Sequence, residues 1–421
     1  MDFRPVAARL GGLFPAWAFA GYVLWLTAFP MSGSLLNDRA DLLWFLLPHA
    51  VLLFVLGRFC RPNRFDVVGR AGVLITVSLT WLFPVLPESP EISLALIGLS
   101  AAPLSIRAGV ALKSASSPLL AALAGLVLGN LLLPLVERLP GDTAGLAVAG
   151  LVLLPLLLRT LPRHALSGET PGLFLYLSFV FVFQLVSGLM YGFLYPAYAN
   201  AALWPGSELL LYITGAGLAT LLFVRRQRDL AIIVGVVAAM LAFVLLIYGA
   251  GVRLVNPSMY AMMLAAGTID LFLLGYVLSF PNVLRAYGYG TGVLCSGIVT
   301  GRLLAMAIGE TGDEVGFAGL VVLNLSVLVL FFLARRRAPV AEPQGAITLP
   351  PGLLSRLSEQ ERLVLEGVLE RRTYKEIAWQ LGISESSVKT YMHRIYEKWG
   401  VTGRRQLLSR LHEQSQTDHA P

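Results

Sequence analysis

Twelve apolar runs, each near the length of a bilayer crossing, constrain this chain more than any other feature. They occupy residues 12–29, 42–58, 71–86, 92–110, 118–136, 143–159, 172–195, 208–224, 230–248, 258–280, 286–308 and 316–333, with the weakest patterns in the fourth and sixth. Lipid offers no hydrogen-bond partner to bare peptide groups, so a segment of about 20 apolar residues crosses it as a helix that satisfies its own backbone. The composition agrees: 56% of residues are hydrophobic and only 14% charged, far outside the globular norm. Ala18-Phe19-Ala20 superficially resembles a signal-peptidase site. The first run continues through it to Phe29, however, as a spanning helix would.

Loop charges test this count. Cytoplasmic loops carry the excess of Lys and Arg, so a miscounted helix would scramble the alternation. The loops on the side of the N-terminus, including Arg107 and Lys113, hold seventeen such residues. The opposite loops hold three: Arg39, Arg138 and Arg253. The split predicts an even number of spans in the cell membrane with both termini cytoplasmic. Cys60 and Cys295 have no Cys or His neighbour at ligand spacing, which argues against structural zinc and a disulfide framework.

Beyond residue 333 the character changes. "ARRRAPVAEPQGAITLPPG" contains a basic stop and four prolines, so residues 334–354 read as a flexible cytoplasmic linker. A linker of roughly 20 residues reaches about 25 Å, which keeps the C-terminal residues close to the membrane. Residues 355–415 read as a separate soluble domain and 416–421 as a disordered tail.

Four short helices are expected in that domain. Ser358-x-x-Glu361 and Thr373-x-x-Glu376 are capping boxes, Ser384 is an N-cap, and Thr402 caps the last helix. Gly382 and Gly400 fall where the second and third helices must end. At about 100° per residue, Val388, Met392, Ile395 and Trp399 form one stripe on the third helix, facing Leu365, Val368, Ile377 and Leu381. Ser386, Lys389, Thr390 and His393 then lie on the outward arc, suited to reading base edges. Tyr391, Arg394 and Lys398 flank it, suited to phosphates, and Thr373 and Lys375 join that set from the second helix. Residues 386–412 carry six Lys or Arg and one Glu, whereas 356–385 carry five basic and six acidic residues. The positive face belongs to the third and fourth helices.

This stretch resembles the LuxR-type helix-turn-helix. The resemblance rests on Leu357-Ser358, Glu361, Leu365, Lys375-Glu376-Ile377-Ala378, Leu381, Ile383-Ser384, Val388-Lys389, Ile395, Lys398 and Gly400-Val401. Ser387, Tyr391 and Trp399 depart from the usual Thr, His and Leu. The resemblance implies a third helix in the DNA major groove. It also implies homodimerisation through the fourth helix, Arg404 to Leu411, with Leu407, Leu408 and Leu411 at the contact, on a two-fold symmetric double-stranded site. Without the resemblance, the same residues read as a small helical bundle with a solvated basic face.

The twelve runs also resemble a major-facilitator fold of two six-helix halves. The Gly57 to Arg70 loop is basic and correctly placed, but lacks the expected Gly-x-x-x-Asp-Arg spacing, and the connection 159–171 between halves is short. The expected fold class is therefore all-α: a twelve-helix transmembrane bundle over 1–333, then a four-helix DNA-binding domain.

Charges inside a membrane cost roughly 2.5–3.5 kcal/mol at its centre, so they are functional candidates. Asp270 lies mid-way along the tenth run and Arg302 in the eleventh, where the two would pair if their helices touch. Gln184 and Asn130 are milder polar points, and His49 reads as a packed or pore-facing residue. Asp270, Arg302 and Gln184 could line a ligand cavity or a proton relay, or merely fix helix packing. Gly288-x-Gly290-x-Gly292 opens a membrane helix and reads as close packing rather than nucleotide binding. No enzyme motif occurs, and no cofactor is expected. Two functions fit: a membrane-tethered one-component transcription regulator that senses a small molecule or membrane signal, or a transporter with a DNA-binding regulatory tail.

Overall fold

The computed structural model describes residues 4–31, 35–36, 39–86, 89–140, 142–158, 160–225, 227–248, 251–308, 312–337, 357–369, 373–381, 383–403 and 406–407. All regular elements among them are helical. The chain divides into two compact units, Met1–Leu333 and Ala334–Pro421.

The first unit contains α1 (Arg4–Leu26), α2 (Leu43–Phe59), α3 (Pro62–Leu82), α4 (Pro90–Lys113), α5 (Pro118–Glu137), α6 (Asp142–Leu151) and α7 (Phe174–Leu189). Next along the chain are α8 (Tyr195–Ala201), α9 (Glu208–Val224), α10 (Arg228–Ile247), α11 (Val252–Leu278), α12 (Val283–Ile308) and α13 (Gly312–Arg337), whose end runs on past Leu333. Nine helices among the described residues are long and apolar enough to cross a membrane. Three shorter apolar helices, Leu43–Phe59, Thr143–Leu157 and Glu208–Val224, stand at the second, sixth and eighth sequence runs. The weak fourth run is a full 24-residue helix, whereas α6 stops after ten residues and gives way to a 3-10 turn at Leu154–Leu157. Pro155 has no N–H to continue the α ladder there.

Two halves are joined where α2 packs on α12 and α5 packs on α9 and α11. The first helix of each half ends alike: α1 passes into a π-helical segment at Thr27–Met31, and α7 into one at Met190–Leu194 that continues as α8. Extra residues inserted this way interrupt the regular ladder, commonly at functional places. Gly288, Gly290 and Gly292 pack as expected: a Cβ at Gly288 would meet Leu53 O at 2.9 Å and Gly57 Cα at 3.0 Å. Gly288 and Gly292 let α12 approach α2, and Gly290 lets it approach Val277 of α11.

Charge is buried at the basic end of the first half. Arg107, a loop charge by its place in the sequence, lies inside α4 and is fully buried. Its Nη1 donates to Asp66 Oδ1 at 2.8 Å and its Nε to the Leu156 carbonyl at 2.6 Å. Arg70 Nε reaches the other Asp66 oxygen at 3.0 Å. One carboxylate at the start of α3 thus ties α3 to α4. A buried guanidinium tolerates its site only when paired and hydrogen-bonded in this way.

The second unit contains α14 (Glu359–Leu369), α15 (Tyr374–Leu381) and α16 (Glu385–Trp399). Its core is its own: Val364, Leu365, Val368, Ile377, Ala378, Val388, Met392, Ile395, Val401 and Leu407 are buried together. Residues 338–356, Gly382, Leu408 and 411–421 lie outside the described residues, and with them most of the expected linker, fourth helix and tail.

Candidate functional site

The expected starts of the helical tail are present. Ser358 N–H donates to Glu361 Oε2 at 2.8 Å, and Glu361 N–H returns to Ser358 Oγ at 3.3 Å. Thr373 and Glu376 exchange the same pair of bonds at 2.7 and 3.3 Å. Ser384 Oγ accepts from Ser387 N–H at 3.1 Å, opening α16. The Thr402 N–H and hydroxyl both reach Gln406 Oε1 at 2.9 Å. At the far end of α16, Gly400 takes φ 57°, which costs a residue without Cβ nothing. The Val401 N–H then bonds the Tyr396 carbonyl at 3.0 Å, closing the helix.

With both ends fixed, the faces of α16 are set. Val388, Met392 and Ile395 are buried and Trp399 packs beside them, as the stripe requires. Ser386, Lys389, Thr390 and His393 are all exposed. Lys389 Nζ rests 3.0 Å from Glu385, and His393 Nε2 3.4 Å from Glu397. An exposed Lys–Glu pair of this kind contributes about 0.3–0.5 kcal/mol, so Lys389 is released from Glu385 at little cost. On the flank, the Arg394 guanidinium lies 6.0 Å from the Tyr391 ring centre.

Three expected contacts have other duties. Lys398 Nζ lies 2.6 Å from Oε2 of Glu361, whose carboxylate is buried at the start of α14. Thr373 commits its hydroxyl to Glu376 at 2.8 Å. Leu407, expected at a dimer contact, is fully buried in the domain's own core. The side chain of Lys375 lies outside the described residues, as do Arg404, Leu408 and Leu411.

The membrane domain holds a cavity of about 640 Å³ between α1, α2, α5, α7, α9, α11 and α12. Asp270 and Gln184 both line it. Tyr212 donates to Asp270 Oδ2 at 2.9 Å, and the Gln184 amide approaches Oδ1 at 3.5 Å. The expected Asp270–Arg302 pair does not form. Arg302 Nη2 instead bonds Asp41 Oδ2 at 3.1 Å, since α12 turns it toward the segment before α2. Asn130 borders the cavity but donates to Leu126 O of its own helix at 2.8 Å. His49 is buried, with Nδ1 2.9 Å from Gly98 O and Nε2 3.2 Å from Ser105 Oγ. That arrangement suits a packed residue satisfied on both nitrogens. Sequence reading missed Asp41, Asp66 and Tyr212: the first two stand near helix starts where charge is unremarkable, and a tyrosine in an apolar run carries no signal.

Comparisons with known proteins agree with this division. Residues 355–411 match the family of bacterial regulatory proteins of the luxR type. No curated protein matches the chain. Among solved structures, the human organic anion transporter MFSD10 (TETRAN) is similar with a TM-score of 0.56 at 16% identity, over 76% of this chain and 97% of that one. A bacterial homologue of the iron transporter ferroportin, outward-facing, gives 0.51 at 13% identity over 77% and 98%. The outward form of FucP, a Major Facilitator Superfamily transporter, gives 0.48 at 13% identity over 79% and 98%. The chain thus carries a LuxR-type helix-turn-helix domain at 355–411 and, N-terminal to it, a helical membrane region with a major-facilitator-like fold.

Proposed function

We propose that this chain is a one-component transcription regulator of the cell membrane, in which an effector bound in the membrane cavity sets how the C-terminal domain engages DNA. The observation that carries the reading is one of covalent economy: the chain that holds Asp270, Tyr212 and Gln184 around a membrane cavity also ends in a DNA-binding domain. The seventeen-to-three division of loop charges supports cytoplasmic termini, where the helix-turn-helix meets DNA. Ser386, Lys389, Thr390 and His393 would read bases, with Tyr391 and Arg394 on phosphates, in a homodimer on a two-fold symmetric site.

Control requires that the effector bind two states of the membrane domain unequally. A proline-interrupted tether transmits little torque. The effective lever is the local concentration of one DNA-binding domain near another. A promoter reporter tests this by comparing the full chain with residues 350–421 alone across small-molecule libraries. Compound-dependent output from the full chain only is the expected result, and identical output from both sinks the reading.

The alternative, a transporter with a regulatory tail, is favoured by the fold and by the size of the cavity. Protein reconstituted in liposomes separates the two: saturable binding without accumulation fits sensing, and uphill accumulation fits transport.

A further inference from the structure

The membrane cavity has an excess of acid over base. Asp270, Glu137 and Glu208 line it against one arginine, Arg138. Glu208 is already engaged by the Tyr198 hydroxyl at 2.7 Å and the Gly206 N–H at 2.8 Å. Asp270 differs. One oxygen accepts from Tyr212, while the other has only the long 3.5 Å approach of Gln184. No described basic side chain pairs with it, because Arg302 is held by Asp41. Asp270 nevertheless keeps part of its surface accessible within the cavity wall. A carboxylate in that setting is costly unless a proton neutralises it or a positive charge arrives to meet it.

The rest of the wall suits such a charge. Tyr22, Tyr191, Tyr195, Tyr198, Tyr212 and Tyr287 border the same space. Aromatic faces attract desolvated cations, and tyrosine edges supply polar contacts without adding a competing positive charge. At about 640 Å³ the cavity has room for an apolar body as well as a charged head. We propose that the cavity binds an organic cation, an ammonium or other onium group paired with Asp270 and held among the tyrosine rings. The proposal rests on the reading that this domain binds an effector, and it names the effector's class.

The test uses purified full-length protein in nanodiscs and radiolabelled tetraphenylphosphonium. Radiolabelled tetraphenylborate, of the same shape and opposite charge, is assayed separately. Saturable binding of tetraphenylphosphonium is expected, displaced by its unlabelled form, and no saturable binding of tetraphenylborate. Asp270→Asn should weaken it by about tenfold or more, while Asp270→Glu retains most of it. Both variants should melt as the parent does. Absence of saturable tetraphenylphosphonium binding, equal affinity for tetraphenylborate assayed alone, or parental affinity in a folded Asp270→Asn variant each overturns the proposal. A promoter reporter keeps the two readings apart. Charge-selective binding that leaves promoter output unchanged sinks sensing and keeps the ligand class. A promoter response to an anionic or neutral compound that is lost in Asp270→Asn sinks the ligand class and keeps sensing.

Discussion

Lys398 near the end of α16 holds the carboxylate of Glu361 at the start of α14, with Nζ 2.6 Å from Oε2. The same carboxylate accepts the Ser358 N–H at 2.8 Å, so one side chain caps α14 and ties it to α16. Burial alone would raise the Glu361 pKa, but the Lys398 ammonium and the Ser358 N–H and hydroxyl overcome it and hold the group below its ordinary value of 4.5. A depressed carboxylate contributes stability that is present above its unfolded pKa and is lost as pH falls through the folded one. Glu361→Gln in the 350–421 fragment should therefore cost about 1–2 kcal/mol at pH 7, less than a fully buried charged bond because Lys398 is 40% exposed. The gap between parent and variant should narrow as the pH falls below the ordinary value of 4.5 and on through the lower folded-state pKa. Denaturant melts at pH 7 and at a series of pH values descending from 4.5 measure both, and a gap that does not change across the acid series removes the ion pair from the account.

The base and phosphate contacts proposed for α16 divide by what they lose. Lys389→Ala should weaken binding to a site selected from a randomised duplex pool by about 1–3 kcal/mol more than binding to random DNA. Arg394→Ala should instead weaken both alike and lower the salt slope by about one. Lys398→Ala belongs to neither group, because it strands the buried Glu361 carboxylate, and its loss should appear first in the thermal melt. Titrations at several salt concentrations separate these outcomes. Equal losses on both DNAs for Lys389→Ala would end its base-reading assignment.

Much of this architecture is legible in the sequence because it is locally encoded. Lipid forces any long apolar run into a helix, and capping boxes such as Ser358/Glu361 and Thr373/Glu376 involve residues three apart. The inward stripe of Val388, Met392 and Ile395 comes from helical angle alone. What sequence does not reveal is lateral: hydropathy says that a run spans, not which helix it touches. Arg302 therefore reads as a partner for Asp270 when its carboxylate is Asp41, 261 positions away. Arg107 passes for a loop charge although it is buried against Asp66, and Leu407 reads as a dimer contact although the domain's own core closes over it.

Removing Asp66 should loosen the basic end of the first half. Arg107 is fully buried and Asp66 is its carboxylate partner, so Asp66→Asn leaves a guanidinium short of compensation. Breaking a fully buried pair costs about 3–5 kcal/mol. Asp66 is 34% exposed, and water reaching it should hold the loss to about 2–3 kcal/mol. Thermal melts of the full chain in detergent should show a clear drop in Tm, and adding Arg107→Met should recover part of it. A single variant that melts with the parent would show that Arg107 does not depend on the Asp66 carboxylate.

The polar corner of the cavity depends on a glycine that has no polar role. An added Cβ at Gly267 of α11 would run into the backbone carbonyl of Tyr212 on α9. Tyr212 is the residue whose hydroxyl reaches Asp270 at 2.9 Å, three positions further along α11. Gly267→Ala must therefore push α9 and α11 apart, at about 1–3 kcal/mol for overpacking, and it displaces the hydroxyl from the carboxylate. Gly217 on the same α9 is the control, since nothing lies within 4 Å of its added Cβ. Gly217→Ala should leave Tm unchanged or raise it slightly, as alanine is the better helix former. In full-length protein, Gly267→Ala should lower Tm and weaken the proposed tetraphenylphosphonium binding together, whereas Tyr212→Phe should weaken that binding with the smaller change in Tm. If Gly267→Ala and Gly217→Ala behave alike, the α9–α11 contact is not what positions Tyr212.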